Sequence, residues 1–202
     1  MTLRSNCLRL LILLLACNAQ KALAYEVGLS VGQYEPFDGV VNGVYQDDAP
    51  SYLLRLGVPR DNGLSWSSTL VYYEFKNRVA NLENDVRLTA LHSGFRKTFL
   101  EGDTERLLGV EPFFGASAGV VSLFVQPENN STDTAYSEQA RHGFSSSWEV
   151  GTQFKSRLLR NVDWEIKMTD LAVGRKLFGN MNMGGRIVSF GFQYNFSADT
   201  AH

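Results

Sequence analysis

The sequence predicts an all-β fold: a single eight-stranded antiparallel barrel of up-and-down topology that crosses a membrane with its strands. Three observations predict it: eight segments of alternating apolar and polar residues, a leader-like N-terminus, and a closing segment with a wholly apolar face. Successive side chains of a strand point to opposite faces, so a period of two indicates a strand between two environments. In the closing segment, residues 185–196, the apolar face consists of Val188, Phe190, Phe192, Tyr194 and Phe196.

The first 24 residues have the pattern of a secretory signal peptide. Arg4 and Arg9 form a basic start, an apolar run occupies 10–15, and Ala22 and Ala24 flank Leu23 as a small-x-small cleavage site. We therefore expect cleavage before Tyr25. The predicted organisation is a signal peptide at 1–24, a barrel at 25–196 and a short tail at 197–202.

A lipoprotein signal is the alternative for this leader, with Cys17 as the lipidated residue. Leu15 is bulky for that motif, and the Ala-x-Ala site follows closely, so the cleaved signal is favoured. Both cysteines, Cys7 and Cys17, fall inside the leader. The mature chain is thus expected to have neither a disulfide nor a thiolate metal ligand.

The charge and hydropathy of the chain exclude two classes of protein. The formal net charge of −2 and the pI near 5.9 provide no basic field for nucleic acid. After the leader, no stretch reaches the roughly 18 to 20 apolar residues of a transmembrane helix. Backbone groups in lipid must be satisfied internally, which leaves strands in a closed barrel as the way to cross.

The first three predicted strands cover residues 25–34, 51–58 and 64–75. The first two alternate cleanly between an apolar face and a face of glycine, serine or charged residues. The third begins in the same way, but Val71, Tyr73 and Phe75 are apolar on the face that began as polar.

The next two predicted strands, residues 84–99 and 107–124, each contain an irregularity. In the fourth, the apolar residues change face near His92, and a β-bulge there is one explanation. In the fifth, Pro112 cannot donate to the ladder and indicates a strand end or a bulge. The remaining strands, 141–155, 161–169 and 185–196, alternate regularly and bring the number to eight.

The predicted connections alternate in length. Long or intermediate segments at 35–50, 76–83, 126–140 and 170–184 alternate with short ones at 59–63, 101–106 and 156–160. Short periplasmic turns and longer outer loops are typical of outer-membrane barrels. This places both ends of the barrel domain in the periplasm.

A soluble eight-stranded carrier of the lipocalin kind would also alternate. Its outside should be covered by Lys and Glu, whereas the polar face here is mainly Gly, Ser and Thr with scattered charges. Small residues suit the crowded interior of a narrow barrel, so the polar face is expected to line the lumen.

The charged residues on this inward phase predict an ion-pair network that fills the lumen, because buried charges must be paired. A selective pore is the alternative, disfavoured because side chains pack the interior at eight strands. The predicted network consists of Glu26, Arg55, Arg87, Glu111, Glu149, Glu165, Lys167 and Arg186.

Aromatic residues cluster near the predicted strand ends, which is typical of the girdles at membrane interfaces. Ordinary core aromatics are the alternative. The predicted girdle residues are Tyr25, Tyr34, Tyr72, Tyr73, Phe99, Phe113, Phe114, Tyr194 and Phe196.

With its Ala-x-Ala signal, its GVEPFFGASAGV strand and its closing GRIVSFGFQYNF strand, the chain resembles the OmpA/OmpX-like family of outer-membrane β-barrel domains. The resemblance covers most of residues 25–196 and lies in pattern. It implies the bacterial outer membrane, lipid and lipopolysaccharide as surroundings, and no cofactor. It also implies an assembly machinery that reads Phe192, Tyr194 and Phe196, although the family usually ends on the terminal aromatic and here residues 197–202 follow.

An enzyme is one alternative, because lipid A deacylases of the PagL type are also eight-stranded. The possible pieces are His92 with Ser93, and His142 with Ser145 and Glu149. Each Ser is an odd number of positions from its His, so the two side chains face opposite sides of a strand. The family places its His and Ser two apart, a spacing absent here, and catalysis is disfavoured.

The favoured function is therefore non-enzymatic: a structural or surface-interaction barrel that acts through long outer loops. The polar segment QPENNSTDTAYSEQA is the candidate surface for a host or phage ligand. A lipid A-modifying enzyme, a small pore and a soluble carrier are the alternatives, and no metal site is readable from three histidines.

Overall fold

The structure is a computed structural model of the 202-residue chain. Eight strands pair with their sequence neighbours, all antiparallel, and the last pairs with the first to close the barrel. The structure describes residues 24–37, 49–59, 61–79, 82–99, 110–127, 139–156, 158–159, 161–174 and 183–197. Residues 1–23 of the predicted signal peptide, including Cys17, most of the predicted long loops and positions 198–202 lie outside these residues, whereas Ala24 is described and begins the first strand.

All eight predicted strands are present, and most extend beyond their predicted bounds. They are β1 (Ala24–Pro36), β2 (Ala49–Pro59), β3 (Leu64–Val79), β4 (Leu82–Thr98), β5 (Val110–Pro127), β6 (Gln139–Lys155), β7 (Val162–Val173) and β8 (Gly185–Ser197). The described part of the chain includes no helix that is long and apolar enough to pass through a bilayer.

We call the end of the barrel where β1 begins and β8 ends the turn end, and the opposite end the loop end. The β2–β3, β4–β5 and β6–β7 connections lie at the turn end, and the other four lie at the loop end. The predicted alternation in length fails at two of them. β3 and β4 leave only positions 80 and 81 between them at the loop end, whereas β5 begins at Val110, which lengthens the connection at the turn end.

The bulge considered as an explanation near His92 is absent from β4. Pairing of β3 with β4 runs unbroken from Leu64 opposite Lys97, through Thr69 opposite His92, to Val79 opposite Leu82. The β4–β5 ladder is continuous as well. The apolar residues change face because the environment inside the barrel changes along its axis, while the backbone keeps its register.

The lumen is apolar toward the loop end and polar toward the turn end. On β4, Leu88 and Ala90 are fully buried in the apolar half, whereas His92 and Arg96, on the same face, are buried in the polar half. The apolar cluster consists of Tyr34, Ala49, Leu53, Val71, Tyr73, Val86, Leu88, Ala90, Val121, Leu123, Leu171, Val173, Met183 and Ile187. Side chains therefore fill the half of the lumen toward the loop end with an apolar core.

Three residues predicted for the aromatic girdles point inward. The rings of Tyr34 and Tyr73 stack with centroids 4.0 Å apart, and both hydroxyls donate to the carbonyl oxygen of Met183. Phe113 lies 3.3 Å beneath the guanidinium of Arg96. The girdle prediction is wrong for these three residues. Aromatic side chains near strand ends can pack inside the lumen as well as lie at a membrane interface. Phe99, Phe114, Tyr194 and Phe196 are exposed.

The outer face of the barrel is apolar around its circumference. Trp164 stacks on Phe190 at 5.6 Å and contacts Phe192 edge-on, while Trp66 packs edge-on against Phe95. The exposed apolar side chains of the strands include Leu29, Val31, Tyr52, Phe95, Phe114, Val120, Val150, Trp164, Ile166, Val188, Phe190 and Phe192. A continuous apolar surface of this extent is suited to contact with lipid.

Candidate functional site

The polar half of the lumen is organised around Glu165 of β7. Its Oε2 accepts hydrogen bonds from Nη1 and Nη2 of Arg96, each at 3.1 Å, and its Oε1 accepts from Nζ of Lys167 at 2.7 Å. The hydroxyl of Ser30 donates to Oε1 at 2.8 Å. Lys167 also lies 3.8 Å from Oε2 of Glu149. Residues of β1, β4, β6 and β7 are thus tied together across the interior.

A second group lies beside it on β1, β2, β7 and β8. Arg55 donates through Nη2 to Oε1 of Gln193, and its Nη1 is 3.5 Å from Oε2 of Glu26. Gln193 donates to Asn195 at 2.7 Å, and Asn195 donates to Asp163 at 2.8 Å. This group therefore links side chains of four neighbouring strands, with Arg55 and Asp163 buried and Glu26 half-buried.

The third group lies at the turn end, on β5 and β6. Oε2 of Glu111 accepts from Gln153 at 2.8 Å, and Oε1 is 2.5 Å from Nζ of Lys155. Glu111 is buried, whereas Lys155 is 61% exposed. This pair therefore lies where the lumen meets solvent.

Six of the eight residues predicted for the network line the lumen in these groups: Glu26, Arg55, Glu111, Glu149, Glu165 and Lys167. Arg87 and Arg186 lie on the outer face instead. Arg87 is 3.3 Å from Glu74 across β3 and β4, and Arg186 donates to both oxygens of Asp170 across β7 and β8. Their strand neighbours Leu88 and Ile187 point into the apolar half of the lumen, so the adjacent arginines must point outward.

Sequence reasoning missed Arg96, Asp163, Gln153, Gln193 and Asn195 as members of the lumen groups. Arg96 is ten positions from Val86 and shares its face in an unbroken strand. The sequence pattern of β4 indicated that the face of Val86 lies outside the barrel, and Arg96 on that face was therefore not assigned to the lumen. The signal that could have found it is the presence of His92 and Arg96 on the same face as Val86 and Leu88, since these polar side chains are unsuited to contact with lipid.

The residues considered for catalysis are arranged differently from either predicted group. His92 points into the lumen, with Nε2 2.6 Å from the hydroxyl of Ser145 and Nδ1 2.9 Å from that of Ser147. Ser93 points outward to Ser68. A Ser–His pair is in hydrogen-bond reach, but His92 is 1% exposed and its second partner is a hydroxyl. A catalytic pair needs access to substrate and an orienting group, commonly a carboxylate.

His142 lies on the outer face of β6, directly opposite Ser122 of β5. The outward carboxylates toward the loop end include Glu74 and Asp170, each engaged by an arginine. His142, Ser145 and Glu149 therefore do not come together, because Ser145 and Glu149 face the lumen.

Phe192, Tyr194 and Phe196 share the outer face of β8, opposite Leu29, Val27 and Tyr25 of β1. Tyr194 and Phe196 contact each other edge-on at 4.5 Å. The predicted C-terminal signal is thus an exposed aromatic row at the seam that closes the barrel.

The closed ladder of eight strands, the filled lumen and the apolar outer face define the fold of the eight-stranded outer-membrane β-barrels. No family model matches the chain, and no curated protein matches it in sequence. Solved structures do match.

The outer membrane protein OprG from Pseudomonas aeruginosa is 12% identical, over 88% of this chain and 98% of OprG, with a TM-score of 0.61. Neisserial surface protein A is 15% identical, over 87% of this chain and 98% of that chain, with a TM-score of 0.57. Ail, the attachment invasion locus protein of Yersinia pestis, is 12% identical over 86% and 97% of the two chains in its complex with the heparin analogue sucrose octasulfate, with a TM-score of 0.52.

Proposed function

We propose that the chain is a non-enzymatic integral protein of the bacterial outer membrane that presents loops to the cell exterior. The observation that supports this most is the filling of the lumen. An apolar core closes the half toward the loop end, and hydrogen-bonded ion pairs occupy much of the other half. A barrel with a filled lumen is suited to a structural role, in which its wall holds the connections of the loop end at the cell surface.

The orientation follows from the same proposal. The turn end faces the periplasm and the loop end faces outward, as in barrels with longer outer connections. The described residues contain no cysteine, so single cysteines can report orientation. A cysteine at position 131, in the segment between β5 and β6, should react with a membrane-impermeant maleimide on intact cells. A matched cysteine at Asn62, in the β2–β3 turn, should react only after the outer membrane is opened; the reverse pattern would overturn the orientation.

The partner in this proposal is a ligand on a host cell or a phage. The structural neighbour Ail is named the attachment invasion locus protein, and that name supports the class of function. The segments 38–48 and 128–138 carry Asp and Glu and neither Lys nor Arg. We therefore propose that these two segments contact a neutral or basic part of the partner.

Adhesion tests this role. A non-adherent strain that displays the wild-type chain should bind cultured host cells better than the same strain displaying a chain in which 128–138 is replaced by a Gly-Ser segment. Both barrels should reach the outer membrane in equal amounts. Equal adhesion by the two strains and by a strain without the protein would contradict the role.

The outer surface suggests two further contacts. We propose that lipopolysaccharide surrounds the loop end, where Arg186 is partly exposed beside Phe37. We propose also that the barrel assembly machinery recognises the aromatic row of Phe192, Tyr194 and Phe196, which stays accessible on the outer face.

A lipid A-modifying enzyme is the second candidate, and the pairing of Ser122 with His142 on the lipid-facing surface is the observation that favours it. Overexpression would then change the acylation of lipid A, as seen by mass spectrometry, and Ser122→Ala would abolish the change. We expect the acylation of lipid A to be unchanged.

A pore is the remaining alternative. It would give a conductance in planar bilayers that responds to the lumen charges, and we expect no such conductance.

A further inference from the structure

A polar cavity of about 210 Å³ lies inside the barrel at the turn end. Arg55 and Arg96 line it together with Glu26, Glu111, Gln153 and Lys155. Lys155 is largely exposed, so the cavity adjoins the solvent at that end. Since a water molecule takes about 30 Å³ in the liquid, the cavity has room for a small polar solute.

Two buried arginines in this cavity have N–H groups without acceptors among the described residues. These groups are Nε and Nη1 of Arg55 and Nε of Arg96. The Nη1 of Arg55 is 3.5 Å from Glu26, but without the geometry of a hydrogen bond. The two side chains are 1% and 2% exposed. A buried charged donor without an acceptor is costly, so these groups favour a ligand that accepts hydrogen bonds.

The cationic side chains at the cavity keep hydrogen-bond donors that the nearby carboxylates do not use. Arg55, Arg96 and Lys155 line it with Glu26 and Glu111, and Glu165 lies behind Arg96, so that each cation has one carboxylate nearby. Lys155 is paired with Glu111, and Arg96 uses both terminal nitrogens on Glu165. The nitrogens left without an acceptor among the described residues are Nε of Arg96 and Nε and Nη1 of Arg55. Together they form a set of cationic hydrogen-bond donors.

We infer that this cavity binds a small oxyanion, a carboxylate or a phosphate, between Arg55 and Arg96, and that the oxyanion enters from the turn end. Guanidinium groups bind both kinds of oxyanion through charge-assisted hydrogen bonds. The inference goes beyond the proposed surface role, because it concerns the opposite end of the barrel and needs none of the loops.

The test uses the full barrel, refolded in detergent micelles and labelled with ¹⁵N in its arginine side chains. Inorganic phosphate and acetate are titrated separately at constant ionic strength, with chloride as the balancing anion. The Nε–Hε signals of Arg55 and Arg96 should shift and saturate, while that of Arg186 on the outer face should not. The anion that binds more tightly, phosphate or acetate, identifies the class of oxyanion.

Two matched variants complete the test. Arg55→Lys keeps the charge but removes the Nε donor and should weaken binding about tenfold. Arg186→Lys makes the same change on the outer face and should leave binding unchanged. Absent or non-saturating shifts in the wild-type barrel, or equal shifts at every arginine, would overturn the site whether or not Arg55→Lys folds.

Discussion

Both terminal nitrogens of Arg96 on β4 donate to a single oxygen of Glu165 on β7, at 3.1 Å each, across the interior of the barrel. The two side chains are 2% and 1% exposed. Lys167 and Ser30 bind the other oxygen of Glu165. Removing this one carboxylate therefore leaves two buried cations without their principal partner.

Glu165→Gln should destabilise the barrel by about 3 to 5 kcal/mol, because breaking a buried pair leaves an uncompensated charge. Urea unfolding of the barrel in lipid vesicles measures the loss. Glu111→Gln is the matched control: its partner Lys155 is 61% exposed, so it should cost no more than about 1 kcal/mol. Equal losses in the two variants would show that Glu165 is not the centre of the network.

Tyr34 contributes to the apolar half of the lumen mainly through its ring, which stacks on Tyr73. Tyr34→Phe keeps the ring and loses the hydrogen bond to Met183, at a cost of about 1 kcal/mol. Tyr34→Ala leaves a cavity and should cost about 3 to 5 kcal/mol. Urea unfolding in lipid vesicles compares the two variants. A similar loss of stability in both would mean that the ring of Tyr34 makes few packing contacts.

Two glycines that face the lumen differ in the room around them. A Cβ at Gly119 would overlap the carbonyl oxygen of Leu91, whereas a Cβ at Gly28 would have Arg55 Nε as its nearest atom at 3.5 Å. Gly119→Ala should therefore lower the yield of folded barrel and its unfolding midpoint in urea. Gly28→Ala should change neither, and equal tolerance of both would contradict the close approach of β4 and β5.

Arginine on the outer face should be costly in proportion to its depth in lipid. Phe190 is near the middle of β8 and Phe196 near its end, and they are 50% and 48% exposed. Phe190→Arg should cost about 2 to 4 kcal/mol and Phe196→Arg at most about 1 kcal/mol. Unfolding in vesicles measures both, and equal costs would argue that the face is not embedded in a bilayer.

The number of strands, their antiparallel order and the lumen position of most charges could be predicted from the sequence. Alternation shows which residues share a face, and a face of Gly, Ser and scattered charges indicates the lumen. In the half toward the loop end this signal fails. Val86, Leu88 and Ala90 line the lumen there, so the more apolar face is the inner one.

The errors in the site follow from that reversal. Arg87 was assigned to the lumen because its neighbours are apolar, and the same choice of inner face places Arg96, nine positions further on, outside the barrel. Contacts across the interior, such as that of Ser145 with His92, join residues 53 positions apart. The alternation of apolar and polar residues within either strand does not predict them. Register around the closed barrel supplies that information.

Heat modifiability tests the membrane barrel most directly. Outer-membrane fractions of cells that express the chain are run on SDS gels with and without boiling, since a closed barrel resists the detergent until heated. The predicted result is a band in that fraction that migrates differently after boiling. Recovery of the protein as a soluble periplasmic species, with no shift on boiling, would contradict the membrane barrel.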